Sequence, residues 1–238
     1  MAARGYRRIL LKLNGETLMG ELAHGIEPGV LNRVAAEIAA LHAGGVQLGV
    51  VIGGGNLYRG AALAQAGIDR VTGDYMGMLA TVMNALAMGD ALQRHGVEAR
   101  VLSAIALTPV AETYSPYRAR DELTAGRVVL LAAGTGNPYF TTDTGAALRA
   151  VEIQAEVMVK ATKVDGVYSA DPQTDPRAVK YDRLSYDEVL ARQLAVMDLA
   201  ALVLYRDHRM PLMMINMTRS GEMRRAVLGE PVGTVIHR

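Results

Sequence analysis

Three consecutive glycines, Gly53-Gly54-Gly55, stand between a β-branched run and a segment of helical period. Without a Cβ, a backbone can approach a ligand closely and adopt positive φ, so that consecutive N–H groups converge on one anion beside a helix N-terminus. A tight strand-to-helix turn accounts for one such glycine, whereas three in a row fit anion binding better. Arg59 follows one helical turn later and adds a mobile positive charge. Lys12 lies inside the apolar run Arg7–Leu13, just before Asn14-Gly15-Glu16. A lysine there reads in two ways: it reaches out of the sheet end to bridge transferring phosphates, or it snorkels from an edge strand. The local sequence leaves both open.

Gly134 to Asp143 brings together two glycines, Asn137-Pro138, the aromatic pair Tyr139-Phe140, and Thr141-Thr142-Asp143. Amide, hydroxyl and carboxylate groups thus meet just before a helix, where Thr142 or Asp143 also suits an ordinary N-cap. Lys160 to Tyr168, followed by Asp171-Pro172, reads as a strand end and a polar turn. Such a stretch can clasp a base and ribose, with Tyr168 offering a face and Asp171 a hydroxyl acceptor. A hairpin with an Asp-Pro turn has the same pattern.

The elements that must position these groups alternate. Apolar strands are expected at Arg7–Leu13, Gln47–Ile52, Val101-Leu102, Val128–Ala132, Val157–Val159, Leu212–Ile215 and Thr234–Ile236. Between them come segments of helical period. One is opened by Pro28 and carries Leu31, Val34, Ala35, Ile38 and Leu41 on one face. A short helix is expected through Leu57 and Leu63, and a long one from about Asp74 to His95, with Asp74 as its N-cap and Met76, Met78, Met83 and Met88 as core or interface filler. Further helices are expected near Tyr117–Leu123, from about Thr142, and around Tyr186–Arg192, Leu199–Asp207 and Glu222–Leu228. Continuous apolar strands separated by helices imply an α/β chain, its parallel or mixed sheet covered on both faces. Ligands of such sheets sit beyond the carboxyl ends of the strands, where all four polar, glycine-bearing segments fall.

The composition narrows the partners. The 238 residues carry 25 Lys plus Arg against 24 Asp plus Glu, with no basic run interleaved with aromatics, which argues against nucleic acid. No cysteine is present, which excludes thiol nucleophiles and thiolate metal sites. The five histidines show no metal-ligand spacing, so no protein-bound transition-metal site is expected. Ile9-Leu10-Leu11 is interrupted at Lys12, and no stretch approaches the roughly 20 apolar residues of a membrane span, so the chain reads as cytoplasmic with no membrane partner. P-loop, Rossmann, protein-kinase and hydrolase-elbow motifs are all missing.

In combination the segments resemble a known family. Leu11 to Glu16, VVIGGGNLYR over Val50 to Arg59, Gly73 to Thr81, Ala133 to Pro138, Thr141-Thr142-Asp143, Lys160 to Pro172 and Met197 to Ala201 are similar to bacterial UMP kinases, in order and at matching spacing over essentially the whole chain. The resemblance implies the amino acid kinase fold, a three-layer α/β/α sandwich about a mostly parallel sheet. It implies one domain, with an approximately 1–160 lobe for UMP and a 161–238 lobe for ATP. It implies transfer of the ATP γ-phosphoryl to UMP with Mg2+, a homohexamer, activation by GTP and inhibition by UTP.

By position, the resemblance implies catalytic roles for Lys12, Arg59, Asp143 and Asp198. ATP contacts are implied for Lys12, Leu13, Asn14, Gly15, Gly55, Arg59, Thr162, Tyr168 and Asp171. UMP contacts are implied for Gly54, Asp74, Thr135, Gly136, Asn137, Pro138, Tyr139, Phe140, Thr141 and Thr142, and a GTP-linked loop for Gly20, Glu21, Leu22, Ala23, His24 and Gly25. Two departures stand out: the family usually has serine at Asn14, and the middle of the loop differs. Two other readings remain, a relative that phosphorylates a carboxylate or carbamate and a non-catalytic nucleotide sensor.

Overall fold

The computed structural model describes residues 5–58, 67–172 and 174–237. Its first strand, β1 (Arg8–Leu13), shows why Lys12 is not a surface lysine: five of its six residues are buried, and it lies between two other strands. Those neighbours are β2 (Gln47–Ile52) and β6 (Val157–Thr162), both parallel to it. On the β2 side follow β5 (Val128–Ala132), β3 (Ala99–Ser103) and the two-residue β4 (Glu112–Thr113). On the β6 side follow β10 (Leu212–Asn216), β11 (Thr234–His237) and β9 (Arg183–Ser185). Every neighbouring pair in this sheet is parallel except β10–β11. A separate hairpin pairs β7 (Val167–Tyr168) with β8 (Lys180–Tyr181).

Alternation along β1 builds the three layers. Ile9, Leu11 and Leu13 join an apolar cluster with α1 (Pro28–Ala43), α2 (Arg70–Arg94) and α7 (Glu222–Val227). Leu10 faces the opposite cluster, formed with α3 (Pro116–Thr124), α4 (Thr142–Glu152), α5 (Tyr186–Ala191) and α6 (Leu199–Asp207). A strand with both faces buried has no polar face to show, hence the unbroken apolar runs. The chain crosses from the β5 side of β1 to the β6 side after α4, so the carboxyl end of β1 is a topological switch point, the usual seat of a ligand.

Several expected boundaries move. α2 begins at Arg70 rather than Asp74, because Asp69 caps it through the Val71 and Thr72 amides at 2.9 and 3.1 Å. β6 runs to Thr162, which places Lys160 within the strand. Gly54 to Leu57 forms a hydrogen-bonded turn, and most of the short helix expected through Leu57 and Leu63 lies outside the described residues. The β7–β8 hairpin fits the plainer reading of the Asp-Pro region. The short strands β4, β7, β8 and β9 leave too little pattern to be read from sequence. The α2 methionines divide: Met78 and Met88 are buried, whereas Met76 and Met83 are exposed.

Candidate active site

The glycine turn after β2 works through close packing. None of Gly53, Gly54 and Gly55 adopts positive φ, contrary to the sequence expectation. A Cβ on Gly54 would stand 2.8 Å from both the Ala80 Cβ and the Gly77 carbonyl oxygen of α2, so only glycine lets the turn lie against that helix. A Cβ on Gly15 would stand 2.3 Å from the Gly53 carbonyl oxygen, so the turn after β1 presses on the turn after β2. Gly53 N–H bonds the Leu13 carbonyl at 2.9 Å, while the Gly54 and Gly55 amides have no acceptor among the described residues. Two uncommitted donors at a strand end suit an anion.

Beside this turn lies a cavity of about 280 Å³, walled by Gly54, Gly55, Tyr58, Gly73, Asp74, Gly77, Met78 and Thr81 on one side and by Gly134, Thr135, Asn137, Phe140, Thr141 and Thr142 on the other. The second wall is a contorted loop in which Ala133, Gly134, Gly136 and Tyr139 all have positive φ. Such conformations persist where the surroundings over-determine them. Here Thr81 Oγ1 accepts from the Ala133 N–H at 2.8 Å, and Arg149, only 5% exposed, donates to the Gly134 carbonyl at 2.9 Å. Gly136, Pro138 and Tyr139 stand outside the cavity wall. Gly136 turns the loop against Ala104, and Tyr139 is exposed with its ring under the Arg70 guanidinium.

Asp74 is not the helix cap that its position suggested. Its carboxylate accepts from the Tyr139 N–H at 2.7 Å and pairs with Arg70 at 2.8 Å, tying α2 to the opposite wall. Burial pushes its pKa up, but the Tyr139 amide and Arg70 outweigh that and hold the carboxyl below its ordinary value.

At the carboxyl ends of β1 and β6 sits a buried charge cluster. Lys12 and Lys160 are partners in register, on the face of the sheet that α4 covers. Thr141 caps α4 through the Asp143 and Thr144 amides, so Asp143, in the first turn, is free to point its carboxylate at the sheet. Its Oδ2 accepts from Lys160 Nζ at 2.8 Å, and its Oδ1 lies 2.9 Å from Lys12 Nζ, an ion-pair contact without hydrogen-bond alignment. Lys160 also donates to the Val196 carbonyl at 2.6 Å, and Lys12 donates to the Asn14 side-chain oxygen. Burial depresses the Lys12 pKa, with Asp143 opposing and Lys160 adding to the shift. Burial pushes Asp143 up, but the two ammoniums together hold it below the ordinary carboxylate value. Two lysines on one carboxylate leave a positive charge over, which suits an incoming polyanion.

Asp198 stands behind this cluster. It caps α6 through the Ala201 amide at 3.0 Å and accepts from the Thr144 hydroxyl at 2.8 Å and from Thr141, so it binds the starts of α4 and α6 together. Leu13, Asn14 and Gly15 lie at and just beyond the end of β1. Thr162 is buried, its hydroxyl donating to the Val164 carbonyl at 2.8 Å. The Tyr168 hydroxyl donates to Asp165 at 2.6 Å, and the Asp171 carbonyl accepts from the Thr174 and Asp175 amides. Gly20 to Gly25 docks on the glycine turn, Gly25 exchanging hydrogen bonds with Asn56 at 2.8 and 3.0 Å, while Glu21, Leu22, Ala23 and His24 are exposed. Arg59 lies outside the described residues.

Sequence reasoning passed over Lys160 as a site residue. The signal was present: in β6, Val157 and Val159 face one cluster and Met158 the other, which puts Lys160 on the side of Met158 and α4. Thr81 was also missed, because a threonine inside a helix carries no mark of the loop it holds.

Comparison with known proteins fits this geometry. Residues 7–216 match the Amino acid kinase family. A uridylate kinase of Marinobacter nauticus is 61% identical over 231 residues, covering 97% of this chain and 96% of the relative. That of Shewanella denitrificans is also 61% identical, over 97% and 95%. Among solved structures, UMP kinase from Bacillus anthracis superposes with a TM-score of 0.96 at 38% identity, covering 98% of this chain and 97% of the other. UMP kinase from Ureaplasma parvum gives 0.93 at 31%, over 98% and 99%. With its parallel sheet, its glycine-lined cavity and this depth of likeness, the chain belongs to the amino acid kinase family, among the bacterial uridylate kinases.

Proposed function

We propose that this chain transfers the γ-phosphoryl group of Mg·ATP to UMP, giving UDP and ADP for pyrimidine nucleotide synthesis. The observation that carries the reading is the juxtaposition of the glycine-walled cavity with the surplus positive charge of Lys12 and Lys160 on Asp143. Phosphoryl transfer needs positioning and charge neutralisation more than covalent chemistry. The acceptor phosphate of UMP is already anionic, so no strong general base is required.

In this reading UMP occupies the cavity, its ribose on Asp74 and its phosphate on the Gly54 amide. ATP comes from the side of β6 and β10, with its nucleoside near Thr162, Tyr168 and Asp171 and its phosphates over Gly15 and Gly55. Residues 1–160 thus form the UMP lobe and 161–238 the ATP lobe. Lys12 meets the transferring group, Arg59 adds charge between the two nucleotides, and Asp143 positions both lysines. Asp198, with its oxygens on hydroxyl and amide donors, acts by holding Asp143's helix in place. Among the described residues no three His, Cys, Asp or Glu gather as a metal cage, and both Asp143 oxygens face ammoniums. In this reading the Mg2+ is part of the Mg·ATP substrate and arrives on its phosphate oxygens.

The reading extends to a cytoplasmic homohexamer, activated by GTP and inhibited by UTP. Tyr75, Met76, Leu79, Met83 and Leu86 form an exposed apolar stripe at helical spacing on α2, which supports self-association. The test of activity is ADP release with UMP, CMP, glutamate and carbamate as acceptors, with and without GTP. Turnover with UMP above all others is expected, and none with UMP would end the reading. Asp74→Asn, which keeps the shape but loses the charge that holds Arg70 and Tyr139, is expected to weaken UMP binding about tenfold while changing ATP binding little. Calorimetric titration of each nucleotide checks this.

A further inference from the structure

The Gly53–Gly54 peptide has glycine on both sides, so no side chain opposes its rotation about the flanking bonds. Something else must fix which way its N–H points. Asn84, on α2, is fully buried and donates from its side-chain amide to the Gly53 carbonyl at 2.7 Å. In a trans peptide the C=O and N–H of one unit point in opposite directions. A grip on the Gly53 oxygen therefore aims the Gly54 N–H away from Asn84.

The grip itself is rigid. Asn84 also donates to Asn56 Oδ1 at 2.7 Å, and Asn56 returns a hydrogen bond to Asn84 Oδ1 at 3.0 Å. The second Asn56 amide hydrogen goes to the Gly25 carbonyl at 3.0 Å. All four side-chain amide hydrogens of the pair are thus satisfied, and neither residue is more than 2% exposed. A satisfied buried network of this kind specifies one arrangement. One turn before Asn84, Thr81 holds the Ala133 amide, so a single helix face sets both walls of the cavity.

We infer that Asn84, backed by Asn56, is a positioning residue that locks the Gly53–Gly54 peptide with its N–H turned to the acceptor phosphate. The inference rests on the reading of the cavity as the UMP site. It gives the buried pair a function beyond stability: selection of the phosphorylated nucleoside over the bare one. Asn84 reaches the substrate only through the peptide it holds.

The quantity that tests this is the ratio of UMP affinity to uridine affinity, measured by calorimetric titration and competition. Asn84→Leu keeps the branched side-chain shape, with bulkier ends, and removes the donor. Asn84→Ser, smaller and still polar, serves where the leucine variant fails to fold. Each is expected to lower the UMP-to-uridine ratio about tenfold or more, the loss of one hydrogen bond to a charged group, with uridine affinity held within about threefold. A merely structural defect weakens both ligands together and leaves the ratio alone, and an unchanged ratio in a folded variant overturns the inference. In the wild-type protein the Gly54 amide resonance is expected to shift with UMP and not with uridine, and a shift equal for both likewise overturns it. If the wild-type protein itself does not prefer UMP to uridine, the assignment of the cavity fails instead.

Discussion

Lys12→Ala is expected to lower kcat on the order of 10²–10³-fold while leaving UMP affinity within about threefold, because one preorganised donor at developing charge is worth that much. Lys12 does not line the cavity; it is 6% exposed, and its partner Asp143, 2.9 Å away, directly follows the wall residue Thr142 in the chain. In the proposed reading its ammonium meets the group in transit more than the bound acceptor. The variant is also expected to fold well. Removing Lys12 leaves Asp143 with Lys160 at 2.8 Å, a neutral pair in place of a cluster with surplus positive charge. Steady-state kinetics over both substrates, with UMP titrated separately, checks the split. A kcat near the wild-type value would remove Lys12 from the chemistry.

Asp143→Asn is expected to have the opposite balance, a large loss of stability as well as of turnover. The asparagine would leave two buried ammoniums facing each other with only Asp198, which acts on Lys12 more weakly than Asp143 does, to offset them. Breaking a buried pair in this way costs roughly 3–5 kcal/mol. The pH dependence follows from the direction of the Asp143 shift. Its folded pKa lies below the ordinary 3.8, so its stabilisation is fully present above that value and is lost as pH falls through the lower folded pKa. The stability gap between wild type and variant should therefore hold steady from neutral pH down to about 4 and close below it. Lys12 works in the other sense. Its folded pKa is depressed below 10.5, so its protonated form is a cost that fades as pH rises between the two values. The variant, lacking the carboxylate that opposes this depression, should regain stability on the alkaline side. Urea unfolding across pH reads both effects, and a gap independent of pH would show that Asp143 does not carry the charge balance of the cluster.

Much of this protein was legible in its residues. Unbroken apolar runs such as Ile9, Leu10 and Leu11 in β1, or Leu48 to Ile52 in β2, read as strands buried on both faces, and their alternation with helices implies a parallel or mixed sheet. The spacing of the polar, glycine-bearing segments then placed four loops at one edge of the sheet, because every parallel strand ends there. The close packing of Gly54 and Gly15 was half visible: glycine was marked as necessary, but the sequence suggested φ, and the reason is the nearness of α2 and of Gly53.

Tertiary structure decided what depends on two distant segments meeting. Lys12 read equally well as an edge lysine until β6 settled beside β1 and brought Lys160 into register with it. Asp74 and Asp143 both looked like caps, and both were released from capping by a neighbour, Asp69 in one helix and Thr141 in the other. A carboxylate's local sequence gives its reach and its charge, whereas its partner and its pKa come from whatever the fold sets against it. The buried Asn56–Asn84 pair shows the limit most sharply. Two asparagines separated by 28 residues carry no periodic signal, and only their meeting under the glycine turn gives them a role.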